Sequence, residues 1–182
     1  MKLTGNDIIF AILQACVDGL KSDRLVYYMY AFQQFGLDLR YRYRVKSSGI
    51  ECRDIATALN TMIAHNKVVC RGGELALTSE GYLYYDNIVL TLSEWDKLFA
   101  VKHLLDSLSE EELFFVCVTD IVVNDMLKRS GVDGLRSGRA TIEGIIKNLS
   151  LEYSEDNFNT ALRVMREIKE GTVVWRNVET AV

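Results

Sequence analysis

The chain has 182 residues, 49% of them hydrophobic and 25% charged, with a formal net charge of −4. That length and balance suit one soluble globular domain, or one domain with a helical extension. The most apolar run, residues 113–123, is short and contains Asp120, so it reads as buried core rather than a membrane span.

The N-terminus has one Lys and an apolar patch but no clean apolar core before a small-residue cleavage site, so a cytoplasmic protein is expected. Cys16, Cys52, Cys70 and Cys117 are scattered through apolar surroundings with no C-x-x-C spacing. Buried reduced thiols are expected, not disulfides or a metal site. Proline is absent, where average usage would give roughly nine, which permits long uninterrupted helices. Charge is uneven. Residues 40–71 carry Arg40, Arg42, Arg44, Lys46, Arg53, Lys67 and Arg71 against Glu51 and Asp54, whereas nine acids between Glu74 and Glu112 face only Lys97 and Lys102. The two segments either present different surfaces or pair with each other.

In chain order, Thr4 or Asn6 caps a first helix with the stripe Ile8, Ile9, Ile12, Leu13 and Cys16, ended by Gly19. Ser22 or Asp23 opens a second, with Leu25, Tyr28, Met29, Phe32 and Phe35 inward and Gly36 as its stop. Residues 39–46 alternate strictly, which predicts a strand. A third helix follows from about Ile50 to His65, with Cys52, Ile55, Leu59 and Met62 inward and Arg53, Thr57 and Asn60 outward. Gly72-Gly73 marks a hairpin between strands at 67–71 and 74–77, and a helix starts at Thr78-Ser79.

The remainder reads as helix. Ser93 and Ser109 look like N-caps, the latter with Glu112 as a capping box. Residues 131–138 read as a flexible loop. Thr141–Leu149 carries Ile142, Ile145, Ile146 and Leu149 on one face. Ser154 caps a last helix with Phe158, Ala161, Leu162, Met165 and Ile168 inward and Gly171 as its end, before a short strand at 172–175. The expected fold class is α+β, mostly helical. A winged-helix-like part with a small antiparallel sheet spans residues 1–92, and a helical extension spans 93–182, packed on it as one unit.

No catalytic constellation stands out. His65 and His103 lack partners at metal-ligand spacing. Arg71-Gly72-Gly73 lacks the Lys-Ser/Thr and helix of a phosphate loop. Glu110, Glu111 and Glu112 fill the first turn of a helix, where they complement its dipole. A non-enzymatic protein without metal or cofactor is expected.

The basic alternation is the feature with two open readings. A strand would place Arg40, Arg42, Arg44 and Lys46 on one face, roughly 7 Å apart. That spacing lets cations follow a nucleic-acid backbone, with Arg53 as a further phosphate contact and Thr57 and Asn60 nearest the bases. Alternatively the Arg stems cover a sheet edge, protect it from aggregation, and pair with the acidic segment 74–112. In both readings Tyr41 and Tyr43 point into the core.

Residues 24–69, "RLVYYMYAFQQFGLDLRYRYRVKSSGIECRDIATALNTMIAHNKVV", resemble the YwgA-like family of small prokaryotic proteins. Tyr41, Arg42, Tyr43 and Arg44 fit that family's aromatic/basic strand, Gly49 its turn glycine, and Ile55 and Leu59 its helix stripe. "LALTSEG" (75–81), "LSEEELFFVCVTDIVV" and "YSEDNFNTALRVMREI" are similar to its later segments, so the resemblance covers most of the chain. It departs at the turn, where Ile50, Glu51 and Cys52 replace the family's proline, tyrosine and serine. Similar domains occur in DarG-type antitoxins and in SocA-like antitoxin and adaptor domains. The resemblance therefore implies a regulator, antitoxin-like or linked to phage defence. It would act on a protein partner such as a neighbouring-gene toxin, with the acidic segment as a contact and homo-oligomers open. The alternative is a winged-helix nucleic-acid binder using residues 40–46 and helix 50–65.

Overall fold

The structure is a computed structural model that describes residues 4–34, 37, 39–46, 49–86, 88, 90–135, 143–144, 147–148 and 154–170. Helix α1 (Gly5–Ala15) starts at a capping box. Thr4 Oγ1 accepts the Asp7 N–H, and the Asp7 carboxylate accepts the Thr4 N–H at 2.8 Å. Its apolar residues from Ile8 to Leu13 are all buried. A turn through Gly19 (φ +97°) leads to strand β1 (Leu20–Lys21), which runs straight into helix α2 (Ser22–Gln34).

Helix α2 is enclosed from Tyr27 to Phe32 without a break. It touches α1, the following hairpin and three later helices. That hairpin pairs strands β2 (Arg44–Lys46) and β3 (Gly49–Glu51), with Val45 opposite Ile50. Helix α3 (Arg53–Ala64) buries Ile55, Leu59 and Met62 at helical spacing. Strands β4 (Val68–Arg71) and β5 (Glu74–Leu77) turn at Gly72 and Gly73, both at positive φ.

The first sheet has the order β1-β5-β4, all antiparallel. A helix, a strand, two helices and a hairpin, with the first strand beside the last, is the winged-helix arrangement. The β2–β3 hairpin is inserted between its second and third helices. Helix α4 (Ser79–Tyr85) is capped by Thr78. Helices α5 (Leu92–Asp106), α6 (Glu110–Leu135) and α7 (Glu155–Glu170) follow. Helix α7 packs along α6, while α5 and α6 pack on α2, so a single apolar cluster includes residues from Ile8 to Ile168. The protein is thus α+β and mostly helical, as its sequence pattern predicts.

Several local expectations change. Only Arg44–Lys46 of the alternating stretch forms regular strand. Helix α3 begins at Arg53, because Ile50 belongs to β3 and Cys52 is its N-cap. The α5 cap is Thr91, in a capping box with Glu94, instead of Ser93. Residues 131–135 continue α6 despite Gly131 and Gly134, so the predicted loop is helical there. Leu162 is exposed on α7, and Val164 is buried in its neighbourhood. Cys52 and Cys117 are buried free thiols, but Cys70 is exposed. Phe35, Gly36, Gly171, residues 136–138, the Ile142–Leu149 stripe and the strand at 172–175 lie outside the described residues.

One glycine is fixed by close approach. A Cβ on Gly81 would collide with the Lys67 carbonyl oxygen, which is backbone and is already engaged by the Thr78 N–H. Gly81→Ala should therefore lower unfolding free energy by about 3 kcal/mol, the upper end of overpacking costs. Glu80→Ala, one residue earlier and exposed, should change it by less than about 0.5 kcal/mol. Urea denaturation of the two variants checks the difference.

Candidate functional site

The basic stretch keeps its alternation in space. Arg40, Arg42, Arg44 and Lys46 are exposed, while Leu39, Tyr41, Tyr43 and Val45 are half-buried and packed against the core. Before β2 begins, a side chain stands in for a strand neighbour. The Tyr41 N–H donates to Gln33 Oε1 at 2.7 Å, and Gln33 Nε2 donates to the Tyr41 carbonyl at 3.2 Å. One amide on α2 thus satisfies both backbone groups of Tyr41. The tyrosine rings add to the hold. Tyr43 meets Tyr30 edge-on, with centroids 4.9 Å apart, and Tyr41 lies against Gly5. Burial raises the pKa of Tyr41 and, well beyond its ordinary range, that of Tyr43.

The row is not one straight comb. Arg40 has φ +56°, so the chain changes direction there. Lys46 pairs across the hairpin with Glu51, Nζ to Oε2 2.6 Å. Arg42 and Arg44 turn toward α3 and line a groove of about 720 Å³ with Arg53. Its floor is Val26, Ile50, Ile55 and Leu59, and Asp23, Glu51 and Asp54 also border it. Arg42, Arg44 and Arg53 take part in none of the ion pairs found among the described residues. Thr57 and Asn60 are exposed on α3 but do not line the groove. The structure therefore brings three of the seven predicted contacts together and separates Arg40, Lys46, Thr57 and Asn60 from them.

Among the described residues, Arg42, Arg44 and Lys46 form no ion pair with the acidic segment 74–112. Glu94 and Glu112 are used in capping boxes with Thr91 and Ser109, which holds both carboxyls below their usual range. Glu110 pairs with Lys21. Asp106 accepts from Lys102 Nζ at 2.6 Å and from the Tyr28 hydroxyl. Burial alone would raise the Asp106 pKa, but those two hydrogen bonds bring it below its usual value.

Two features escaped the sequence reading. The first is the polar cluster around Asp106, which lines a cavity of about 490 Å³ with Cys16, Arg24 and Tyr28. Arg24 Nη2 donates to the carbonyls of Leu105 and Leu108 at 2.8 and 2.9 Å, so it caps the end of α5. Its guanidinium also lies 5.9 Å from the Tyr28 ring centre. Burial raises the Cys16 thiol pKa, despite Lys102 and Arg24 nearby.

The second is an apolar stripe on α5. Leu92 is 83% and Phe99 51% exposed, and Trp95 stacks on Phe99 with centroids 5.3 Å apart. Tyr85 meets Trp95 edge-on at 6.1 Å. These residues share one face at i, i+3, i+7, opposite the buried Leu98, Val101 and Leu105.

Gln33→Leu removes both hydrogen bonds to Tyr41 at nearly constant volume. It should cost about 1–3 kcal/mol and speed hydrogen exchange of the Tyr41 amide. An unchanged exchange rate at Tyr41 would show that the clasp does not hold the segment.

Compared with models of protein families and with curated proteins, the chain matches none.

Proposed function

We propose that this protein is a non-enzymatic regulator that works by binding a protein partner, in the manner implied by its resemblance to antitoxin and adaptor domains. The observation that carries the reading is the Leu92–Trp95–Phe99 stripe. Exposed aromatic and aliphatic side chains on one helix face are the usual composition of an interface centre, and Leu92 and Phe99 are left in water by the chain itself. The stripe lies within the acidic segment 74–112. Asp96 lies on the same helix, and Glu80 and Asp86 on and just after α4, so a partner with an apolar patch and a basic rim is the complementary one.

Affinity capture from the native host tests it. The wild-type protein should recover one specific protein, and Phe99→Asp should abolish that recovery while leaving the far-ultraviolet circular dichroism unchanged. Trp95→Ala should weaken the complex by about 2 kcal/mol, roughly thirtyfold, as an interface anchor does. Recovery of no specific protein, or of the same one by Phe99→Asp, contradicts the reading.

A second reading, nucleic-acid binding by the winged-helix part, is favoured by Arg42, Arg44 and Arg53, which enter no ion pair among the described residues. The apolar floor of the same groove, Val26, Ile50 and Leu59, has no counterpart in a phosphate backbone and places this reading second. It requires binding to duplex DNA or RNA at about 50 mM salt that weakens as salt rises and falls stepwise as those arginines become Ala. No binding at low salt removes it.

A further inference from the structure

We infer that the groove between the β2–β3 hairpin and α3 is a receptor for an extended acidic segment of a protein, one that carries an aliphatic anchor. The inference rests on the partner-binding reading but concerns a surface separate from α5. The floor supplied by Val26, Ile50 and Leu59 is apolar, and about 720 Å³ accommodates a few side chains and not a folded domain. The rim is cationic in effect. Arg42, Arg44 and Arg53 are exposed and enter no ion pair among the described residues, whereas Glu51 is already held by Lys46. Asp23 and Asp54 sit in the first turns of α2 and α3, where the helix dipoles favour a carboxylate.

What remains to be satisfied is thus three planar, bidentate donors around an apolar trough. Carboxylates match the donors, and an aliphatic side chain between them matches the trough. A nucleic-acid strand matches the donors only, since its sugar-phosphate backbone has nothing aliphatic to bury in the trough. The backbone that Gln33 holds at Tyr41 keeps the adjoining Arg42 and Arg44 pre-positioned, which lowers the entropy lost on binding.

The test is fluorescence anisotropy with four labelled probes: a peptide alternating glutamate and leucine, the same peptide with serine for leucine, the same with lysine for glutamate, and a short duplex DNA. The glutamate–leucine peptide should bind tightest. Arg42→Ala, Arg44→Ala and Arg53→Ala should each weaken it about threefold to fivefold, the range for an exposed charge pair. Phe99→Asp should leave it unchanged. Equal binding of the serine or lysine peptide, tighter binding of DNA, or indifference to the three arginines overturns the inference. Absence of peptide binding alongside intact Phe99-dependent capture refutes the groove alone. Loss of both refutes the partner-binding reading as well.

Discussion

Helix α2 is enclosed by other elements on nearly every side, and each polar tip it takes inward must meet a partner there. It meets a different element each time. The Tyr28 hydroxyl donates to Asp106 at the end of α5. The Tyr30 hydroxyl donates to Asp120 of α6 at 2.6 Å, deep in the core, where Asn124 also donates to that carboxylate. Tyr27 lies against Gly49 and bonds the backbone of Ile50, with burial pushing its hydroxyl up to about 12. Gln33 takes Tyr41. Four side chains on one helix thereby locate the hairpin, the extended segment and two helices of the C-terminal part.

The outer surfaces follow from that arrangement. Because Tyr41 and Tyr43 are drawn inward to α2, their neighbours Arg42 and Arg44 are forced out by the two-residue repeat. Because Ile50 is fixed beside Tyr27, Arg42 and Arg44 stand across a trough from Arg53 and cannot lie flat on a sheet. On the other side, Arg24 and Tyr28 fasten the end of α5, and Leu92 and Phe99 are left exposed on it. The winged-helix order of strands gives the frame, and α2 determines what the frame displays.

Much of this was legible in the chain, for definable reasons. Period-two alternation at 40–46 and the Ile55, Leu59, Met62 stripe each reflect one face meeting one core, and both survive in the structure. The Gly72-Gly73 hairpin was legible from turn chemistry alone. What was not legible depends on partners distant in sequence. Nothing local tells that Gln33 will serve as a strand edge for Tyr41, or that Arg42 and Arg53 will share a groove while Thr57 and Asn60 stay outside it. The α5 stripe was hidden because its apolar residues fall on both faces, so no single periodicity stands out. Gly131 and Gly134 misled in the other direction. Their weak helix propensity does not end α6, which runs to Leu135. Thr91 with Glu94 was a readable capping box, overlooked for the nearer Ser93.

The dependence on α2 is tested most directly at its deepest link, Tyr30 to Asp120, because Asp120 is only 3% exposed. A double-mutant cycle with Tyr30→Phe and Asp120→Asn, read by equilibrium denaturation, gives the coupling between them. A coupling energy of at least about 1 kcal/mol is predicted for a buried hydrogen bond between α2 and α6. Additivity within about 0.3 kcal/mol would contradict it and would mean that apolar packing alone joins α2 to α6 at this link.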